Sequence, residues 1–186
     1  MKWFPPSESN PRSFAAHSQG TVIVADYLRL RRAGGGTAGN WQYLSFGSPL
    51  RQLYAAHFPH WYKWITDCDP DRDDLLASLG LKRWANLYGA GDYVGRRVFR
   101  SNDLPRDYAN PLDMGDRFQA LDPTVLLPSS NMVDACVGPL AHTRYTDGSA
   151  PHVARTLRYL IAQVAPGSQA PATEVTASAP AMRPGP

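Results

Sequence analysis

Ser13-Phe14-Ala15-Ala16-His17-Ser18-Gln19-Gly20-Thr21-Val22-Ile23-Val24 is the stretch that decides the fold of this 186-residue chain. A short apolar run climbs into a serine with small neighbours, and a helix-compatible segment follows at once. This is the layout of a strand-to-helix turn that lifts a serine hydroxyl out of the top of a sheet. The simpler alternative is a serine capping a helix N-terminus. Small neighbours are expected because strand and helix crowd a strained residue. Gly20 meets that need, and Ala16 stands where such turns usually carry another glycine.

Outward from this turn the chain alternates. Ser13–Ala16 reads as a short buried strand. Gln19 to about Arg32 reads as a helix, apolar early and basic late, with Arg29, Arg31 and Arg32 suiting its dipole and Gly34-Gly35-Gly36 ending it. Gln42–Phe46 is a second buried strand, stopped by Gly47-Ser48-Pro49. Leu50–Trp64 holds Tyr54, Phe58, Trp61, Tyr62 and Trp64, and is expected to contain a short helix and a loop. These rings either pack in the core or face lipid, and their spacing is no clean amphipathic stripe. Arg83–Tyr88 is a third strand, followed by the turn Gly89-Ala90-Gly91-Asp92. Residues 100–131 form a polar, proline-interrupted excursion, and Val133–Leu140 holds a short extended piece. Pro151–Val164 reads as a last helix with Val153, Leu157, Leu160, Ile161 and Val164 on one face.

Strands alternating with helices predict an α/β fold with a mainly parallel sheet, right-handed crossovers and flanking helices. Strands apolar without alternation fit burial on both faces. Three spans are expected: an irregular lead-in over 1–12, a domain over 13–164, and a disordered Ala/Pro/Ser/Thr-rich tail over 165–186.

Composition narrows the function. Hydrophobic residues make up 43% of the chain, enough for a packed core, and the formal charge is +3. The basic residues are scattered, so no nucleic-acid face is expected. Cys68 and Cys136 share no metal-site or CxxC spacing, and no metal or cofactor is expected. No apolar run is long enough to span a bilayer and no signal peptide is visible, so the default location is cytoplasmic.

A serine hydroxyl needs an imidazole to take its proton, and the imidazole needs a carboxylate to fix its tautomer. Ser18 is the candidate nucleophile. Asp92, directly after the third strand, is the candidate acid, ahead of Asp67, Asp69, Asp103 and Asp113. As a bland alternative it is a turn aspartate. His142, in a loop before the last helix, is the candidate base. His17 is expected to point away from the serine, His57 and His60 precede the acid, and His152 lies inside the last helix. The backbone N–H of Gln19, at a helix N-terminus, is a candidate oxyanion donor.

The runs FAAHSQGTVIVADYLR, LSFGSPLRQLYAAHFP, RWANLYGAGDYVGRRV and LAHTRYTD resemble the C-terminal half of an α/β-hydrolase superfamily protein of the lipase/esterase kind. The resemblance covers roughly residues 13–164. It implies a Ser18–His142–Asp92 triad, an acyl-enzyme, and a small-molecule or lipid ester as substrate. It also implies that the serine strand is the fifth of eight, so the strands before it, with the second oxyanion donor, are expected upstream of Met1. On that expectation the serine strand lies at an open sheet edge, whose partner is an N-terminal half or a second copy of the chain. The alternative is a hydrolase remnant acting as a non-catalytic interaction module. Membrane tethering is a third, weaker reading.

Overall fold

The computed structural model describes residues 12–66, 74–99, 124, 127–128, 130–148 and 151–164. Four strands form one sheet: β1 (Arg12–His17), β2 (Trp41–Phe46), β3 (Leu81–Tyr88) and β4 (Met132–Cys136). Their spatial order is their chain order, and every pairing is parallel. Helix α1 (Gln19–Ala33) joins β1 to β2. A π-helical turn (Leu50–Ala55), α2 (Pro59–Thr66) and α3 (Asp74–Leu79) lie between β2 and β3, and α4 (Pro151–Val164) follows β4. This is an α/β fold with flanking helices.

Strand side chains alternate between faces. Trp41, Tyr43, Trp84 and Met132 join α1 residues Val22, Ala25 and Leu28 in one core. Leu44, Phe46, Ala85, Leu87, Val133 and Ala135 join α4 residues Val153 and Leu160 in the other. The sheet is therefore covered on both faces, as parallel sheets require. All six residues of β2 are buried. The expectation of a buried first strand is not met, because β1 is half-buried with Ala15 exposed. It lies at the end of the sheet, with β2 its sole neighbour among the described strands.

The remaining differences are local. β3 starts at Leu81, two residues earlier than its sequence suggests, because Gly80 turns the chain into it at φ 66. The short extended piece expected within Val133–Leu140 is β4, which ends at Cys136 shortly before Gly138 at φ 95. On α4, Ile161 is 50% exposed and Thr156 is buried, so the buried stripe is rotated from the expected one. The aromatic segment divides: Tyr54, Tyr62 and Trp64 pack against the core, while Phe58 and Trp61 face outward. Arg12, expected to close the irregular lead-in over 1–12, instead begins β1, paired with Trp41. Residues 1–11, the tail over 165–186, most of the excursion, and Cys68 lie outside the described residues. Among those described, no helix is long and apolar enough to cross a membrane.

A polar row crosses the apolar sheet. Ser45, Asn86 and Asp134 are register neighbours on β2, β3 and β4. Trp84 Nε1 donates to Ser45 Oγ, Ser45 Oγ to Asn86 Oδ1, and Asn86 Nδ2 to Asp134 Oδ1 at 2.6 Å. Asp134 also accepts the backbone N–H groups of Val98 and Phe99. This row ties the loop after β3 to the sheet, and that loop carries Asp92.

Burial pushes the Asp134 carboxyl up from 3.8 to about 6, against the pull of its donors. Its proton is therefore held more tightly in the folded chain than in the unfolded one. The associated stability is fully present below the ordinary value and is lost as pH rises through about 6. In denaturant titrations, the unfolding free energy of the parent minus that of Asp134→Asn should be larger at pH 4 than at pH 7. A difference that does not change with pH contradicts this assignment.

Candidate functional site

The strand-to-helix turn at Ser18 is sharp. Ser18 has φ 53 and ψ −131, and it is the one non-glycine residue with positive φ among those described. A side chain in this region is strained by about 1–3 kcal/mol, so the surroundings must hold it there. Thr21 does much of the holding. Its N–H and its Oγ1 both donate to the Ser18 carbonyl, at 3.0 and 2.6 Å. With its single proton so used, Thr21 Oγ1 accepts from the Ser48 hydroxyl at 2.8 Å. Tyr43, buried in β2, donates to the Thr21 carbonyl. The Ser18 N–H donates to Phe46.

The Ser18 side chain makes no cap hydrogen bond to α1, which separates this turn from an ordinary capping serine. Its hydroxyl instead lies 2.7 Å from His142 Nε2. On the other side of that ring, Nδ1 is 2.9 Å from Asp92 Oδ2 and 3.1 Å from Oδ1. An ionised carboxylate can only accept, so Nδ1 carries the proton and Nε2 is left to accept the serine proton. Ser18 follows β1, Asp92 follows β3 and His142 follows β4, so parallel strands bring the three residues to one end of the sheet.

Asp92 is fully buried. Burial alone would raise its pKa. Donation by the Gly95 N–H, His142, the Tyr145 hydroxyl and the Val94 N–H outweighs burial and holds the carboxyl below its ordinary range. Room for this arrangement depends on two glycines. Gly47 sits at φ 60, and a Cβ there would meet Tyr145 at 2.9 Å and His17 at 3.1 Å. A Cβ on Gly95 would run into the Gly47 backbone and lie 2.5 Å from Asp92 Oδ2. Gly20 is different. A Cβ there would be 3.8 Å from the Ala16 methyl, so the expected crowding at this position is absent.

Gln19 opens α1, and its N–H has no intrahelical carbonyl to bond. It stands at the positive end of the helix beside Ser18. Of the competing residues, Asp67, Asp69, Asp103 and Asp113 lie outside the described residues. His57 Nδ1 donates to its own segment, at the Leu53 carbonyl. His60 is exposed on α2, and His152 lies in the first turn of α4. Among the described residues no group of three or more His, Cys, Asp or Glu could hold a metal ion.

Two participants were not anticipated. His17 does not point away: its Nε2 donates to the His142 carbonyl at 2.9 Å, and the two rings are 4.9 Å apart. Burial pushes His17 below its ordinary value of 6.5, outweighing the carbonyl bond. Tyr145 bonds Asp92 directly. No local signal marks His17, whose side chain is placed by register, since it pairs with Phe46 on the face that α4 covers. The signal for Tyr145 was a lone aromatic in the polar run Thr143-Arg144-Tyr145-Thr146-Asp147.

A cleft of about 630 Å³ lies between β1 and α4, walled by Ala15, Phe46, Tyr145, Val153 and Leu157 among others. Ser18 is not in its wall.

No protein-family model, curated protein or solved structure matches this chain.

The strain at Ser18 gives a stability test. Ser18→Gly removes the Cβ that makes this backbone costly, while Ser18→Ala keeps it. The glycine variant should be more stable than the alanine variant by about 1 kcal/mol in denaturant unfolding. Equal stabilities would mean that Ser18 is unstrained.

Proposed function

We propose that the chain is a carboxylic-ester hydrolase with an α/β-hydrolase-like arrangement, working through an acyl-enzyme on Ser18. The observation that carries this reading is the hydrogen-bonded line from the Ser18 hydroxyl through His142 to the buried Asp92. The order of these residues on successive parallel strand ends supports it, as do the strained backbone at Ser18 and the resemblance of the surrounding runs to lipase/esterase sequences.

In this mechanism Ser18 Oγ attacks the ester carbonyl as its proton passes to His142 Nε2. Asp92 keeps Nδ1 protonated and stabilises the imidazolium. The oxyanion accepts the Gln19 N–H at the start of α1. His142 then gives its proton to the departing alkoxide, and an alcohol leaves. Water attacks the acyl-enzyme with His142 again as base, and the carboxylic acid and free Ser18 are restored. The neutral His17 beside His142 suits this cycle, because a second cation there would oppose imidazolium formation.

The position of β1 at the end of the sheet among the described strands favours a second reading, an interaction module without turnover. A fluorophosphonate probe separates the two. The ester hydrolase should be labelled at one site, and Ser18→Ala should abolish labelling. The interaction module should leave Ser18 unlabelled. Where turnover of a short-chain aryl ester is measurable, Asp92→Asn should lower kcat by up to about 10⁴-fold by stabilising the wrong histidine tautomer. Full activity in that variant would remove Asp92 from the mechanism.

A further inference from the structure

Tyr145 lies in the same loop as His142 and is 1% exposed. Its ring packs on His17 and Phe46, with centroids 5.6 and 5.9 Å away. A phenylalanine would fill that space as well. The hydroxyl is what needs explaining, and it has two partners. The Gly89 N–H reaches it at 2.6 Å, and it reaches Asp92 Oδ2 at 2.7 Å. A backbone N–H can only donate and a carboxylate can only accept, so the direction is fixed. Gly89 donates to the phenol oxygen, and the phenol donates to Asp92. Such a chain polarises each bond along it.

Oδ2 of Asp92 is thus shared. It accepts from Tyr145 and from His142 Nδ1 at 2.7 and 2.9 Å. Charge drawn toward the phenol is charge the imidazole does not feel. We propose that Tyr145 is a positioning residue that orients the Asp92 carboxylate and sets how strongly it stabilises protonated His142, and so sets the pH at which Ser18 becomes reactive. The last clause rests on the ester-hydrolase reading. The coupling of Tyr145 to His142 does not.

Other groups face this pair, and the Cys136 thiol does so from the end of β4, adding to the pressure that keeps the Tyr145 phenol protonated. His17 approaches from the end of β1, with its Nε2–H on the His142 carbonyl. Ser18 faces Nε2. From the loop after β3, Val94 and Gly95 N–H groups hold Oδ1, and the Arg96 guanidinium is engaged by the Ala90 carbonyl at 3.0 Å. Burial, with the Asp92 bond adding to it, keeps the Tyr145 phenol protonated far above its ordinary range. It therefore remains a donor throughout the working range of a histidine base.

The sign follows. Without the phenol, Asp92 turns more of its charge on His142, which holds its proton to higher pH. A phenol made more acidic donates more strongly and has the opposite effect. The test follows the His142 ring resonance by NMR from pH 4 to 9, assigned by its loss in His142→Gln. Three proteins are compared: the parent, Tyr145→Phe, and the chain with 3-fluorotyrosine placed at position 145 alone. The midpoint should rise by about half a unit or more in the phenylalanine variant, roughly a threefold change in the protonation equilibrium. It should fall in the fluorotyrosine protein. Fluorophosphonate labelling rates at Ser18 should shift their acidic limb in the same two directions.

Midpoints equal to the parent's in both folded variants, or shifts of the reverse sign, overturn the proposal. If Tyr145→Phe does not fold, the fluorotyrosine protein decides, since it keeps the ring and both hydrogen bonds. If Ser18 is not labelled in the parent, the ester-hydrolase reading fails, while the NMR midpoints still decide the coupling.

Discussion

The Asp92 carboxylate is the point at which the upper end of the sheet is joined. It gathers the turn after β3 through the Val94 and Gly95 N–H groups, and the loop after β4 through His142 and Tyr145. Tyr145 extends that hold back to Gly89, at the end of β3. A buried carboxylate with fewer donors would be neutral or exposed. With four donors it can stay ionised where it is, and its charge keeps His142 in one tautomer facing Ser18. Removing it would leave His142 without an orienting partner and several donors buried without an acceptor, so structure and chemistry at this site share one interaction.

The Ser18 turn is held by a separate set of bonds. Thr21, Ser48 and Tyr43 form a short hydrogen-bonded cluster beneath it, and this cluster connects α1 to β2 and to the segment that follows. Ser18 is thereby fixed to the core on the α1 side of the sheet. His142 arrives from the α4 side, where His17, Phe46 and Tyr145 pack together. The serine and histidine therefore meet from opposite layers of the fold. The polar row Ser45–Asn86–Asp134 lies between those layers and ties down the loop that brings Asp92.

Much of this was legible along the chain, for reasons that differ by element. The strands β2 and β3 are short runs rich in large apolar residues and closed by glycine, and α1 opens directly after a serine set among small residues. These signals are local and survive without tertiary information. Ser18, Asp92 and His142 could be singled out because parallel strands deliver their following residues to one end of the sheet. What escaped notice depends on packing between distant segments. His17 sits next to Ser18 in sequence, yet its partner is a carbonyl 125 positions away. The crowding assigned to Gly20 is found instead at Gly47 and Gly95, whose loops press backbone to backbone. The half-burial of β1 follows from its place in the sheet, which no property of its own six residues specifies.

The spatial order of the strands repeats their order in the chain, and the Ser18–His142 bond spans 124 positions. During synthesis Ser18 emerges before Asp92, and Asp92 before His142. Until the loop after β4 leaves the ribosome, the Ser18 hydroxyl has no imidazole beside it. Assembly of the hydrogen-bonded line is therefore a late event of folding: a nascent polypeptide arrested just after Asp92 presents the hydroxyl and the carboxylate with no ring between them.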